Sequence, residues 1–169
     1  MRKQNRGKDF EEQIRLSLES LPNVSFDRLP DPMAGYSGIR NICDFSMYHY
    51  PNMFFLECKS LYGNTLNFKS DITENQWNGL LEKSKLYGCI AGICVWYIDY
   101  DLTVFVKIQD LEKHKQSGKK SLNINEITGE NSVDHFIIDG VKKRVKFSYF
   151  GDKFLKNLHL LADKEWGDA

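Results

Sequence analysis

Asp44, Glu57 and Lys59 lie in the stretch DFSMYHYPNMFFLECK, which is otherwise rich in apolar and aromatic residues and reads as strand. Charge in such a stretch is costly to bury without a partner. Take residues 43–49 and 53–60 as two strands joined by a turn at Tyr50-Pro51-Asn52, centred between Tyr50 and Pro51. Asp44 then lies opposite Glu57. Opposed residues share a face, with Cβ atoms about 4.5–5.5 Å apart. Lys59, two residues beyond Glu57, shares that face. A slip of one residue would turn Asp44 away from it. Two carboxylates this close repel each other unless positive charge lies between them. Mg²⁺ meets that need, because it takes one or two carboxylates together with waters and substrate phosphate oxygens. A water on such an ion, beside a lysine, is a nucleophile for phosphodiester cleavage. The plainer account makes Asp44 and Glu57 salt-bridge partners of Lys59. D-x(12)-E-x-K is a short pattern, but the run Phe54-Phe55-Leu56 leading into Glu57 speaks for a buried strand and hence for a site.

Two further side chains are candidates. On a helix carrying Phe10, Ile14, Leu18 and Leu21 on one face, Glu11 sits at the edge of the apolar arc and Glu12 on the solvent side. Glu11 can therefore reach along the core boundary, or simply be a first-turn carboxylate favoured by the helix dipole. Gln76 closes the sequence Thr73-Glu74-Asn75-Gln76, a capping box with Thr73 as N-cap. Capping and a role at the site are compatible if that helix N-terminus points at a phosphate. His49, His114, His135 and His159 have no metal-ligand spacing. Cys58 faces away from Glu57 and Lys59 and reads as core, as do Cys89 and Cys94. Trp77, Trp96 and Trp166 read as packing, and no glycine-rich phosphate loop is present.

The elements that must hold these residues follow from periodicity. A helix is expected over 8–21, stopped by Leu21-Pro22, then a loop over 29–38. A second helix is expected from Thr73 to Tyr87, ended by Gly88. AGICVWYI reads as a central buried strand, with LTVFVKI as its neighbour and QDLEKHKQSG as a short helix closed by Gly118. Residues 136–147 read as a hairpin about the Asp139-Gly140 turn, and 152–162 as a last helix. The expected fold is α/β, bordering on α+β: a mixed central sheet flanked by helices, in one domain over 1–169. Its core is expected over about 5–127, with a C-terminal hairpin and helix added over 128–169.

Composition narrows the function classes. The 169 residues include 41% hydrophobic and 13% aromatic residues, enough for a core and too many for a disordered chain. No apolar run reaches the length of a membrane span, and MRKQNRGKDFEEQ lacks the apolar region of a secretory signal. The expectation is a cytoplasmic protein, with no membrane partner and with its four cysteines reduced. Lys+Arg and Asp+Glu balance at 23 each, so overall charge gives no support to nucleic-acid binding. Local charge does, in three clusters: Arg2, Lys3, Arg6 and Lys8; Lys113 to Lys120; and Lys142 to Lys146. Each is also what a solvated surface looks like.

The residues quoted so far resemble a known family. D-x(12)-E-C-K is the core signature of the PD-(D/E)XK nucleases. NRGKDFEE, Asp44, Glu57, Lys59, Gln76 and GKKSL, in that order, resemble the RecU-like Holliday junction resolvases of that superfamily, in the form typical of phages of Gram-positive bacteria. The resemblance spans roughly residues 5–127. It implies a restriction-endonuclease-like core and a homodimer that makes paired nicks across four-way or other branched DNA, in a bacterial host cytoplasm. It implies Mg²⁺, with Mn²⁺ as a substitute, held by Asp44, Glu57 and the Cys58 backbone carbonyl. Lys59 would position the nucleophilic water, Glu11 would complete the site and Gln76 would support it. Arg6, Lys8, Lys119 and Lys120 would contact DNA. One departure matters. Bacterial members carry a long stalk between the first helix and the first catalytic aspartate, and about twenty residues separate Leu21 from Asp44 here. A general nuclease, or another branched-DNA nuclease, on the same core is therefore an alternative, as is a non-catalytic DNA-binding module.

Overall fold

The structure, a computed structural model, describes residues 5–30 and 40–167. Its elements in chain order are α1 (Arg6–Leu18), β1 (Ser25–Arg28), β2 (Phe45–His49), β3 (Asn52–Leu61), β4 (Thr65–Asn67), α2 (Phe68–Asp71), α3 (Glu74–Ser84), β5 (Cys89–Tyr97), β6 (Leu102–Lys107), α4 (Ile108–Gln116), β7 (Ser121–Asn123), α5 (Asn125–Thr128), β8 (Phe136–Ile137), β9 (Gly140–Lys143), β10 (Lys146–Tyr149) and α6 (Gly151–Trp166). Six strands form the main sheet in the order β1-β2-β3-β5-β6-β8. Among the described residues only the β3–β5 pair of this sheet is parallel. β4 pairs with β7 and β9 with β10 in separate two-stranded ribbons. This is the mixed sheet flanked by helices that the sequence leads one to expect. Most of the expected loop at 29–38 lies outside the described residues.

Each face of the sheet carries its own apolar cluster. On one, Phe10, Ile14 and Leu18 of α1 and Phe154, Leu155, Leu158 and Ala162 of α6 cover Phe45, Met47, Phe54, Leu56 and Cys58. On the other, Trp77 and Leu80 of α3 and Ile108 and Leu111 of α4 cover Ala91, Ile93, Val95, Val104 and Val106. Removing each large side chain from water contributes about 1.5–3 kcal/mol. β5 is buried along all nine residues, as a central strand covered on both faces must be. All four cysteines are free and buried. Among the described residues no helix is long and apolar enough to cross a membrane.

Several boundaries differ from those the sequence suggests. α1 starts at Arg6, where the Asn5 side chain caps the Lys8 N–H at 3.4 Å, and it ends at Leu18 rather than Leu21. Pro22 pushes Leu21 away from helical geometry, and the chain turns through Asn23 at φ 59°. α3 stops at Ser84, three residues before Tyr87, as its last turn tightens through Lys85 N–H to Glu82 and Lys83 carbonyls. The hairpin reading of 136–147 is overturned. Phe136–Ile137 instead adds an edge strand to β6, drawn there by Phe136 stacking on Phe105 and by the burial of Ile138. Asp139-Gly140 only carries the chain from the sheet into the ribbon. The hairpin turn is at Lys143–Lys146, with Arg144 at φ 56°. Tertiary burial outweighs local turn chemistry here. α6 runs on to Trp166, whose indole N–H donates to the Cys89 carbonyl at 3.2 Å.

Candidate active site

β2 and β3 pair in the register the sequence suggests, with Phe45 opposite Leu56 and His49 opposite Asn52. β2 begins at Phe45; Asp44, just before it, donates its N–H to the Leu56 carbonyl at 3.2 Å and lines a common hollow with Glu57. The Asp44 carboxylate accepts the Cys58 backbone N–H at 2.8 Å. Glu57 is 3% exposed, on the face covered by α3, and Cys58 points into the opposite cluster. Lys59 Nζ lies 2.9 Å from Glu57 Oε1.

Helix α3 supplies the fourth member. Thr73 Oγ1 accepts the Gln76 N–H at 3.1 Å, and Gln76 Oε1 accepts the Thr73 N–H at 3.1 Å, completing the capping box. The same Gln76 Oε1 accepts from Lys59 Nζ at 3.2 Å, and Gln76 Nε2 donates to Glu57 Oε1 at 2.9 Å. One side chain thus both caps the helix and bonds the Glu57 and Lys59 head groups. The helix start is thereby locked to the carboxylate.

Electrostatically the site is short of positive charge. Glu57 Oε2 is buried with no hydrogen-bond partner. Burial, and then the charge of Asp44, push the Glu57 carboxyl up to about 8, against the pull of Lys59. Burial and the same two carboxylates push the neighbouring Cys43 thiol up to about 12. An orphaned buried carboxylate oxygen beside a second carboxylate is what a hard cation would satisfy. A residue's N–H and C=O point to the same side of a strand. The Cys58 carbonyl therefore faces the edge that β2 leaves open. Two carboxylates and a carbonyl fit Mg²⁺, which completes its shell with water and phosphate oxygens. Among the described residues no group of three or more His, Cys, Asp or Glu side chains is arranged to hold a metal. An all-protein cage is thus not available, and Mg²⁺ does not require one.

These residues open onto a hollow of about 310 Å³, lined by Leu29, Arg40, Asn41, Cys43, Asp44, Glu57, Thr73, Asn75 and Gln76. Arg40 and Asn75 are additions that motif reading does not supply. Asn75 Nδ2 donates to the Arg40 and Asn41 carbonyls, both at 3.2 Å, pinning the segment just before Asp44. Arg40 has only its place four residues before Asp44 as a signal. Glu11 is not among the residues lining this hollow. It lies in a neighbouring one with Lys8, Glu12, Arg15, Arg28 and Phe45, and pairs with Arg28 at 3.2 Å. The link to Asp44 runs through β1, where Arg28 faces Phe45 and the Leu29 N–H donates to the Asp44 carbonyl at 2.8 Å.

The expected DNA contacts form two groups. Arg6 sits at the start of α1, 3.4 Å from the Tyr62 hydroxyl just beyond β3, and Lys8 is exposed a half-turn later. Lys119 and Lys120 line a larger hollow of about 840 Å³ with Lys69 and Lys115 around Phe68 and Trp77. Lys115 lies over the Trp77 ring at 4.7 Å.

No protein-family model matches the sequence, and no curated protein matches it. Among solved structures, the chain is similar to that of Archaeoglobus fulgidus Hjc, a Holliday junction resolvase from an archaeal hyperthermophile. The identity is 17% and the TM-score 0.46, over 73% of this chain and 100% of that one.

Proposed function

We propose that this protein is a metal-dependent endonuclease that hydrolyses phosphodiester bonds in branched DNA, with the four-way junction as its preferred substrate. One observation carries the reading. Asp44 and the buried Glu57 meet on one face of the sheet, with Lys59 and Gln76 on Glu57 and one carboxylate oxygen left without a partner. A structural ion pair with Lys59 does not need a second carboxyl set against Glu57 that opposes its ionisation.

Asp44, Glu57 and the Cys58 carbonyl would hold Mg²⁺, or Mn²⁺ in its place. The ion would supply Lewis-acid charge on the phosphodiester and lower the pKa of the attacking water. The protein's own groups do the rest. Gln76 bonds both the Glu57 and Lys59 head groups and so fixes them relative to each other. Lys59 orients the attacking water and offsets negative charge on the phosphorane. Water adds to phosphorus and releases one proton to solvent as the bond to the 3′-oxygen breaks, and that oxygen takes one proton back from solvent. The products are a 3′-hydroxyl and a 5′-phosphate. Arg40, which lines the hollow, together with Arg6, Lys8, Lys119 and Lys120, would hold the backbone. A homodimer would place two such sites for paired nicks.

A second reading has a specific observation behind it. Between α1 and β2 the described chain holds only the four-residue β1, with no stalk to enter a junction. A cleavage assay with Mg²⁺ on a four-way junction, a three-way fork and linear duplex separates the two. Symmetric nicks confined to the junction support the resolvase. Equal cutting of all three makes the protein a general nuclease, and no cutting of any overturns the proposal.

A further inference from the structure

The β9–β10 ribbon stands apart from the machinery described above. Its base is fixed in the core: Tyr149 is buried and bonded to Thr103 at 2.8 Å, and Phe147 stacks on Tyr149 at 5.8 Å. Gly140 permits this close pairing, since a Cβ there would lie 2.5 Å from the Ser148 carbonyl oxygen. Its tip is the opposite in character. Residues 141–145 are all exposed, and GVKKRVKFS from Gly140 to Ser148 holds four cations and no carboxylate.

The tip also lies at a definite place. Lys142 pairs with Asp101 at 2.6 Å, in the turn just after β5, and Lys146 pairs with Asp9 of α1 at 2.8 Å. Asp9 also pairs with Arg6 at 3.5 Å, and Arg6 reaches Tyr62 beyond the end of β3. β3 and β5 are parallel, so both of these turns lie at one end of the sheet, the end toward which Lys59 lies beyond Glu57. Asp9 and Asp101 take up Lys146 and Lys142. Lys143 and Arg144 project beyond them at the turn.

We infer that the β9–β10 ribbon is a DNA-binding arm that grips the phosphate backbone through Lys143 and Arg144, at the end of the sheet toward which Lys59 lies beyond Glu57. This rests on the nuclease reading for the identity of the ligand. A rigid base, a cation-only tip and continuity with Arg6 and Lys8 fit a polyanion of regular charge spacing. In a chain of zero net charge, this segregation of positive charge distinguishes a binding arm from an evenly mixed solvated surface. The arm extends the DNA track away from α1 and gives a stalkless protein a second hold on a duplex arm.

The test is fluorescence-anisotropy titration of a labelled four-way junction in EDTA, across a salt series. It compares wild type, Lys143→Gln/Arg144→Gln and a control, Lys85→Gln/Lys164→Gln. The control lysines are exposed near the ends of α3 and α6, at the opposite end of the sheet. Loss of two phosphate contacts should lower the slope of log K against log salt by about 2 and weaken binding at least about tenfold near 0.1 M salt. The control should match wild type. All three should melt together. Wild-type affinity and slope in the ribbon variant, with DNA still bound and cut by wild type, would overturn the arm alone. Failure of wild type to bind DNA would overturn the arm and the nuclease reading together.

Discussion

In the proposed nuclease Glu57 is the residue on which the chemistry turns, and its surroundings make opposite demands on fold and function. A buried carboxylate with an unsatisfied oxygen costs stability when no cation is present. We therefore expect Glu57→Gln to raise resistance to urea in EDTA at pH 9, above the value of about 8 to which burial and Asp44 push this carboxyl. Added Mg²⁺ should then stabilise wild type and leave the variant unmoved. A wild type that gains nothing from Mg²⁺ would show that the pair is a structural ion cluster. Gln76 allows a sharper separation of roles. Gln76→Glu keeps the capping box, since Thr-x-x-Glu caps as Thr-x-x-Gln does, but sets a third carboxylate against Glu57. Melting should fall in EDTA, and recover with Mg²⁺. Gln76→Ala should instead lose about 1 kcal/mol of helix capping with or without metal. Much of this site was legible in the sequence. Asp44, Glu57 and Lys59 were readable because strand alternation and a short turn fix which side chains share a face. That Gln76 caps α3 was readable because a capping motif is local. The Arg28 partner of Glu11 was not, because that contact joins α1 to a four-residue edge strand with weak patterning of its own.

At the scale of elements, the approach of α3 to the strand edge decides whether Gln76 can reach Glu57. Gly79 makes that approach possible, since a Cβ there would fall 2.1 Å from Ile42 Cγ2 and 2.7 Å from its Cβ. Gly79→Ala gains in helix propensity yet must push Ile42 aside, and with it the segment leading into Asp44. We expect a lower melting temperature and slower cleavage at saturating Mg²⁺, with partial recovery in Gly79→Ala/Ile42→Ala. A faster or unchanged enzyme would mean that α3 does not position the site. α6 is held to the β2–β3 turn by His159, which bridges His49 Nδ1 at 2.7 Å and Asn52 Oδ1 at 2.9 Å. Burial, and then His49, hold the His159 imidazole below its usual value. The unfolded chain therefore takes up the proton first, and stability present above about pH 6.5 is lost as the pH falls through and below that value. Urea midpoints measured at pH 7.5 and 5.5 should fall less in His159→Gln than in wild type. The helices and central strands were legible because their apolar periods are long. The edge strands were not. β1 and β8 are four and two residues long and are chosen by what they cover, and an Asp-Gly pair beside β8 points to a turn that the core overrides.

For the whole molecule, a formal net charge of zero means that DNA binding must come from segregated charge. The structure gathers Lys69, Lys115, Lys119 and Lys120 in one hollow, and links Arg6 to the ribbon through Asp9. Binding should accordingly weaken steeply with salt, and a flat response would remove the DNA track as a whole. The claim beneath all of this is that Asp44 and Glu57 act together through a divalent cation on a phosphodiester. The measurement that tests it most directly is single-turnover nicking of a four-way junction in a Mg²⁺ titration, for wild type, Asp44→Asn and Glu57→Gln. Folded variants that bind the junction like wild type should lose at least about a thousandfold in rate at every Mg²⁺ concentration, because the site no longer offers two carboxylates. Wild-type nicking by either variant, or nicking by wild type that persists in EDTA, would contradict the account.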